Sequence, residues 1–200
     1  MDVFVSYRSD DNPYVAAQLH TVLGVRFGRH RVFRDCDSMR PGQVYPDSIR
    51  AALASCRVLV VVIGPGWLTA TAGSGRRRLD DTRDWVRREL KFAFGHKVPV
   101  VPVLLDGAAP PAPGELPDDI RQLGLTQAHR VRHRQLRTDL DALVEHLTAL
   151  VPGLGSSDLA AEPNPTGVHN QHNMAGSGGT VFANQGTQNI YPATEGVPRP

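Results

Sequence analysis

The sequence predicts an α/β fold with a mostly parallel sheet, and two observations support this prediction. Short apolar runs rich in valine and isoleucine alternate with segments of helical periodicity over residues 1 to about 150, which is the pattern of strands joined by crossover helices. One run, Val58–Ile63, is apolar at every position, as expected for a strand that is buried on both faces. The alternation then stops, so we expect one folded domain followed by an appendage.

In the first half of the domain, strands are predicted at residues 3–5, 31–33 and 58–63, and helices at residues 14–23 and 46–55. The first helix has Asp11 or Asn12 as a candidate cap and Pro13 in its first turn. Gly64 and Gly66 flank a proline that ends the third strand, and we interpret this turn as structural and not as a phosphate cradle.

In the second half, a strand is predicted at residues 98–105 and an amphipathic helix at residues 136–150. Pro99 and Pro102 each remove a backbone donor from the strand, which favours a position nearer the edge of the sheet. Pro152 and Gly153 end the helix. The predicted boundaries are a domain at residues 1–152, a linker at 153–166 and a low-complexity tail rich in Gly, Asn and Gln at 167–200.

Charge and cysteine content exclude several classes of protein. The 22 basic and 20 acidic side chains give a net charge of +2, which is too balanced to indicate binding to nucleic acid or to a membrane. Cys36 and Cys56 form no CxxC pair and are too few for a disulfide framework, so a cytoplasmic protein is expected. No signal peptide or membrane-spanning run is visible.

Motifs for bound metals and nucleotides are also missing from the sequence. The eight histidines show no metal-ligand spacing, and neither a GxGxxG motif nor a P-loop occurs. A Rossmann dinucleotide site and an NTPase are therefore disfavoured. We expect no metal and no resident cofactor.

One acidic residue breaks the pattern of a predicted helix that begins near Trp85. At about 100° per residue, Glu89 lies inside the apolar arc of that helix and away from its basic side chains. The arc consists of Trp85, Val86, Leu90, Phe92 and Ala93, and the basic side consists of Arg87, Arg88 and Lys91. A carboxylate against an aromatic wall is costly unless it has a role, although Glu89 could also reach water or a cation of another element at the edge of the core.

Three blocks, in order, resemble the TIR (Toll/interleukin-1 receptor) domain family, which has a flavodoxin-like fold. The blocks are residues 2–8 (DVFVSYR), residues 32–35 (VFRD) with 39–42 (MRPG), and residues 84–90 (DWVRREL). They are similar to the family's first strand and following loop, to its second strand and mobile BB loop, and to the catalytic-glutamate helix of its NAD-cleaving members. The resemblance implies three layers around a five-stranded, mostly parallel sheet.

The same resemblance implies the site residues and the substrate. Glu89 would be the catalytic acid, with NAD as substrate and no other cofactor. The substrate pocket would be lined by Tyr7, Arg8, Phe33, Arg34, Asp35 and Trp85. An independent rule agrees, because open α/β sheets bind ligands beyond the carboxyl ends of their strands. Arg8 and Arg34 could contact phosphate, but solvated surface cations and, for Trp85, plain core packing remain alternatives.

A single carboxylate could suffice for this reaction. Nicotinamide leaves NAD as a neutral group and needs no protonation, so the acid pair of ordinary glycosidases is not required. The carboxylate could stabilise an oxocarbenium-like transition state, orient the ribose hydroxyls or add covalently. The sequence leaves these three roles open.

The tail segment at residues 180–191 combines strand formers with Asn and Gln and has no charge or proline, a composition typical of steric zippers. It resembles the amyloid-type signalling motifs of microbial immune proteins, while a disordered tail is the alternative. The resemblance implies self-association through TIR–TIR contacts and a partner protein recruited by the tail, which would raise the local concentration of domains.

Three functions remain open at this point. The first is an NAD glycohydrolase or cyclase that becomes active when it self-assembles in microbial defence. The second is a non-enzymatic TIR adaptor that recruits other TIR domains. The third is a relative of the same fold that processes nucleotide sugars. An acid within the apolar arc favours an enzyme over an adaptor.

Overall fold

The computed structural model describes residues 1–34, 45–73 and 75–155, without the side chains of residues 45–48. Five strands in this part of the chain form one sheet in the order β2-β1-β3-β4-β5, and every pairing is parallel. The strands are β1 (Val3–Ser6), β2 (Val32–Arg34), β3 (Val58–Ile63), β4 (Val100–Leu105) and β5 (His129–Val131). The predicted α/β fold with a parallel five-stranded sheet is confirmed.

Four α-helices lie in the described residues: α1 (Pro13–Phe27), α2 (Tyr45–Ser55), α3 (Trp85–Gly95) and α4 (Leu136–Leu150). The side chain of Asn12 caps α1 by accepting a hydrogen bond from the Val15 amide. This helix extends four residues beyond the prediction, because Gly24 packs inside it and the chain turns only at Gly28, whose φ is 97°. No helix in the described residues is long and apolar enough to cross a membrane.

Each face of the sheet has its own hydrophobic core. The residues of β3 alternate between them, with Leu59, Val61 and Ile63 in one core and Val58, Val60 and Val62 in the other. The first core is covered by α2 and α3, through Ile49 and Leu90 among others, and the second by α1 and α4, through Leu19 and Leu143. This strict alternation makes the fold three-layered and explains why β3 is apolar throughout.

One strand agrees with the prediction of its place in the sheet, and another was not predicted. β4 lies between β3 and β5, one place in from the edge, with Pro102 opposite Val61. One missing amide removes a single ladder bond, which this position tolerates. The edge strand β5 was not predicted, because its three residues, His129, Arg130 and Val131, are too few and too polar to show a strand pattern.

The strand order creates a crevice at one place on the sheet. From β1 the chain crosses to β2 on one side, and from β2 it crosses back to β3 on the other side of β1. In such doubly wound sheets, ligands bind beyond the carboxyl ends of the strands where the order reverses. The carboxyl end of β1, at Ser6, lies at this switch point.

The packed region continues past α4. Val151 is 2% exposed and Leu154 is fully buried, so the core reaches beyond the predicted boundary at residue 152. Arg31 donates to the carbonyl oxygens of Gly153 and Leu154 and to the carboxylate of Asp2. Through Arg31, these hydrogen bonds link residues 153–154 to Asp2 near the start of the domain. The predicted tail at 167–200 and most of the linker lie outside the described residues.

Candidate active site

Glu89 is buried at the carboxyl end of the first strand. The residue is only 4% exposed, although its side chain is ionisable. Carboxylate oxygen Oε2 accepts a hydrogen bond of 2.6 Å from the hydroxyl of Ser6. Ser6 is the last residue of β1 and is 2% exposed. The acid predicted from the helical wheel therefore faces the switch point of the sheet.

The helix that carries Glu89 is held at its first turn by two interactions of Asp84. Asp84 caps α3, with Oδ1 accepting from the Arg87 amide at 2.9 Å. Both Asp84 oxygens also accept from the terminal nitrogens of Arg8, at 2.9 and 3.0 Å. A carboxylate at a helix N-terminus is favoured by the helix dipole as well as by the cap. The position of Glu89 is thus tied to the loop after β1.

Arg8, a predicted phosphate contact, pairs with the side chain of Asp84 in the structure. The residue is 3% exposed, and its guanidinium carbon lies 5.6 Å from the ring centroid of the fully buried Trp67. The bidentate pair with Asp84 engages both terminal nitrogens. A phosphate could compete for Arg8 only if this pair opened.

Tyr7 and Arg34 come together as predicted for the ends of adjacent strands. Arg34 ends β2 and is 8% exposed, and its guanidinium carbon lies 5.5 Å from the ring centroid of Tyr7. Such a stack on an aromatic face suits a guanidinium. Arg34 pairs with Val5, whose core on the α1 and α4 face of the sheet also contacts Tyr7. Ser6 pairs with Val61 of the opposite core, which contains α3. Tyr7 and Arg34 therefore lie at the same strand ends as Ser6 and Glu89, but on the other face of the sheet.

The other predicted lining residues have different positions. Phe33 is 3% exposed and stacks on Phe4 with ring centroids 5.1 Å apart, so it is part of the core. Trp85 is half-buried against the same core, and the guanidinium of Arg88 lies 5.0 Å from its ring centroid. Asp35 and the whole segment similar to the BB loop lie outside the described residues.

The glycine turn after β3 is filled by a side chain of the protein. The two carboxylate oxygens of Asp11 accept from the Gly64 and Gly66 amides, at 2.7 and 2.8 Å. A phosphate cradle would use these same amides. The geometry therefore agrees with the structural interpretation of this turn.

A cavity of about 410 Å³ lies elsewhere, at the carboxyl ends of β4 and β5, and is lined by Asp106, Arg132, His133, Arg134 and Gln135. Asp139 lies next to it and accepts three hydrogen bonds from the backbone and side chain of Arg132. Hydrogen bonding from the Arg132 side chain lowers the pKa of Asp139 to about 2. β1 and β4 are separated by β3, so this cavity is distinct from the surroundings of Glu89.

Two residues of the candidate site escaped the sequence analysis. Ser6 could have been recognised because a small polar residue ends an otherwise apolar strand at the predicted ligand edge. Asp84 stands where a helix cap is preferred, but its bond to Arg8 spans 76 residues and leaves no local signal. Among the described residues, no three His, Cys, Asp or Glu side chains come together as metal ligands.

Comparison with known proteins places these features in a family context. The family model described as "TIR domain" matches residues 3–145. The chain is similar to "NAD(+) hydrolase tir-1" of Caenorhabditis elegans, with 30% identity over 125 residues, which are 62% of this chain. It is also similar to "NAD(+) hydrolase sarm1" of Drosophila melanogaster, with 24% identity over 166 residues, which are 78% of this chain. The match spans only 12% of the length of each relative.

A solved structure has a similar fold. It contains the TIR domains of the activated Roq1 resistosome that directly recognises the pathogen effector XopQ. The TM-score is 0.54 at 16% sequence identity, and the match covers 73% of this chain and 98% of the other. This likeness concerns the fold alone.

Proposed function

The chain belongs to the TIR domain family, and from this premise we propose that it is an NAD glycohydrolase with Glu89 as its catalytic residue. The main observation in support is that Glu89 is 4% exposed and bonded to Ser6 at the switch point of the sheet. A buried carboxylate beside the crevice of an α/β sheet is a functional-site signature. Two relatives named as NAD(+) hydrolases support the choice of substrate.

The proposed reaction breaks the bond between the ribose anomeric carbon and the pyridinium nitrogen. The bonding electrons leave with nicotinamide, which becomes neutral, and positive charge develops on the ribose. Glu89 would stabilise that charge in surroundings of low dielectric. Water then adds to the anomeric carbon and loses a proton, giving ADP-ribose, or an adenine nitrogen adds and gives a cyclic isomer.

The remaining predicted residues have unequal support as substrate contacts. Arg34 and Tyr7, stacked at the end of β2, are the better candidates for the pyrophosphate and a ring of NAD. Arg8 would need to release Asp84 first. Trp85 is half-buried and lies one helical turn before Glu89, so it remains a candidate for stacking on nicotinamide or adenine.

The test compares nicotinamide release by the wild type, Glu89→Gln and Glu145→Gln. Glu145 is an exposed glutamate on α4 and provides a matched control for the same chemical change. Concentrated protein is incubated with NAD, with and without a crowding agent, and free nicotinamide is followed by chromatography. We expect release by the wild type and the control and none above background by Glu89→Gln. If the wild type and both variants release nicotinamide only at the same background level under assembled conditions, the proposed enzymatic activity is refuted.

An adaptor is the alternative function, in which Glu89 would be a structural acid held by Ser6. An adaptor would bind other TIR domains without releasing nicotinamide. The NAD assay separates the two functions, and analytical ultracentrifugation run in parallel shows whether the protein associates. Association without nicotinamide release by the wild type would identify an adaptor. A relative that processes nucleotide sugars would lose turnover of those substrates in Glu89→Gln.

We further propose that the enzyme acts in the cytoplasm in microbial immune defence and is switched on by self-association. The tail at residues 167–200 would drive this assembly and recruit a partner protein. A peptide of residues 167–191 tests the idea by its fibre formation, followed with an amyloid dye and electron microscopy. A peptide that stays monomeric and unstructured at high concentration would count against it.

A further inference from the structure

A short hydrogen bond joins a serine hydroxyl to the candidate catalytic carboxylate. Ser6 Oγ donates to Glu89 Oε2 at 2.6 Å across 83 residues of sequence. The two residues are 2% and 4% exposed. A hydrogen bond from a hydroxyl to a carboxylate at this length is charge-assisted and stronger than one between neutral groups.

The Ser6 end of this contact is rigid. Ser6 pairs with Val61 of the central strand β3, and the preceding Val5 pairs with both Arg34 and Val60. The hydroxyl therefore projects from a strand that is bonded on both sides. Fixing such a donor requires little further ordering when substrate binds.

The Glu89 end is also fixed. Leu90 is fully buried in the core beneath α3, and Asp84 holds the first turn of the helix to Arg8. The carboxylate of Glu89 is thus placed by its helix, and its orientation about the last side-chain torsion is constrained by Ser6. That torsion is otherwise broad for a glutamate.

We infer that Ser6 is a positioning residue that orients the Glu89 carboxylate and keeps it charged for cleavage of the nicotinamide bond. The inference rests on the proposed NAD cleavage. Donation to a carboxylate favours its ionised form, and only the ionised form can stabilise the developing positive charge. Preorganised charge of this kind contributes to the turnover step more than to substrate binding.

The test is a set of Ser6 variants measured for kcat, KM and pH dependence. Ser6→Ala removes the donor, and we expect kcat to fall by about 10- to 100-fold while KM changes by less than about twofold. The acid limb of the kcat profile should move to higher pH, because the carboxylate loses a donor that favours its charged form. Ser55→Ala, which removes an exposed hydroxyl on α2, is the control and should match the wild type.

A second pair of variants covers the case in which Ser6→Ala folds poorly. Ser6→Thr and Ser6→Val have side chains of the same shape and differ only in the hydroxyl group. We expect Ser6→Thr to have the higher kcat, with the acid limb of its kcat profile at lower pH. Ser6→Val should behave like Ser6→Ala. Equal kcat and equal pH profiles in the two variants would overturn the positioning role.

Failure of this inference can be distinguished from failure of the proposed function. If the wild type releases nicotinamide, Glu89→Gln does not, and Ser6→Ala keeps the wild-type kcat and pH profile, the positioning role alone is wrong. If the wild type releases no nicotinamide, the proposed NAD cleavage is wrong, and so is the role of Ser6 in it. Carbon NMR of protein labelled at the glutamate carboxyl groups then tests the contact directly. The Glu89 signal is assigned as the one that is missing in Glu89→Gln, and its pH titration is compared between the wild type and Ser6→Ala.

Discussion

Arg8 and Asp84 form a buried two-point ion pair that joins the loop after β1 to the cap of α3. The donor–acceptor distances are 2.9 and 3.0 Å, and the side chains are 2% and 8% exposed. Ser6 and Glu89 join the same strand and helix five residues further along α3. Two contacts therefore fix the position of α3 relative to the carboxyl end of β1.

Loss of Arg8 should destabilise the fold strongly. In Arg8→Met the Asp84 carboxylate stays buried without its cation, and we expect the free energy of unfolding to fall by about 3–5 kcal/mol. Arg8→Lys keeps the charge but loses the fork geometry, so its effect should be smaller. Urea unfolding measures both.

The control for this prediction is Arg83→Met. Arg83 pairs with Asp81 on the surface, and its side chain is 88% exposed, so little change is expected. Equal unfolding midpoints for Arg8→Met and Arg83→Met would contradict the importance of the buried pair.

The turn after β3 should not tolerate a side chain at Gly64. A Cβ there would lie 2.5 Å from Oδ2 of Asp11, the oxygen that accepts from the Gly64 amide. Gly64→Ala should lower the free energy of unfolding by about 1–3 kcal/mol, since Asp11 must shift and lose its bonds. Gly95→Ala at the end of α3 has open space around the new methyl group and should stay within about 0.5 kcal/mol. Thermal melts that shift equally would refute this account.

The Asp139–Arg132 contact should make stability depend on pH in acid. Hydrogen bonding from Arg132 lowers the pKa of Asp139 from 3.8 to about 2. The folded state thus binds this proton less readily than the unfolded state, and the stabilisation is present above the unfolded pKa and lost as pH falls through the folded pKa. Asp139→Asn should therefore be less stable than the wild type near neutral pH, with the difference shrinking between about pH 5 and pH 2. Urea midpoints across this range measure it, and a constant difference would contradict it.

The end of the packed domain can be located by truncation. A chain that ends at residue 155 keeps Val151 and Leu154 in the core, together with the carbonyls bound by Arg31. We expect it to unfold at the same urea concentration as the full chain. A chain that ends at residue 150 loses both apolar side chains and should be less stable by about 2–4 kcal/mol. Equal midpoints for the two truncated chains would show that the last residues contribute nothing.

Local patterns were sufficient to predict most elements of this fold. The helix at residues 136–150 agrees with the prediction at both ends, and β3 agrees residue for residue. Each is long and has one clear period. The predictions were less successful where an element is short, as for β5, or where context sets its end, as at Gly24 within α1.

The site was predictable in part for the same reason. Glu89 was found because its place in the apolar arc of α3 is a property of helical spacing alone, and the structure buries it. The stacking of Phe33 on Phe4, in the core that also contains α3, was not predictable from local patterns, because the register of β2 against β1 decides which residues of the two strands lie side by side.

By itself, the sequence determined the α/β class, the strands and helices with strong periods, and the place of one acid in an apolar arc. Only the tertiary structure decided the partners: Ser6 for Glu89 across 83 residues, and Asp84 for Arg8 across 76. Periodicity records the surroundings of a residue within a few turns of its own element. A hydrogen-bond partner from another element depends on how strand order and helix packing bring distant segments together.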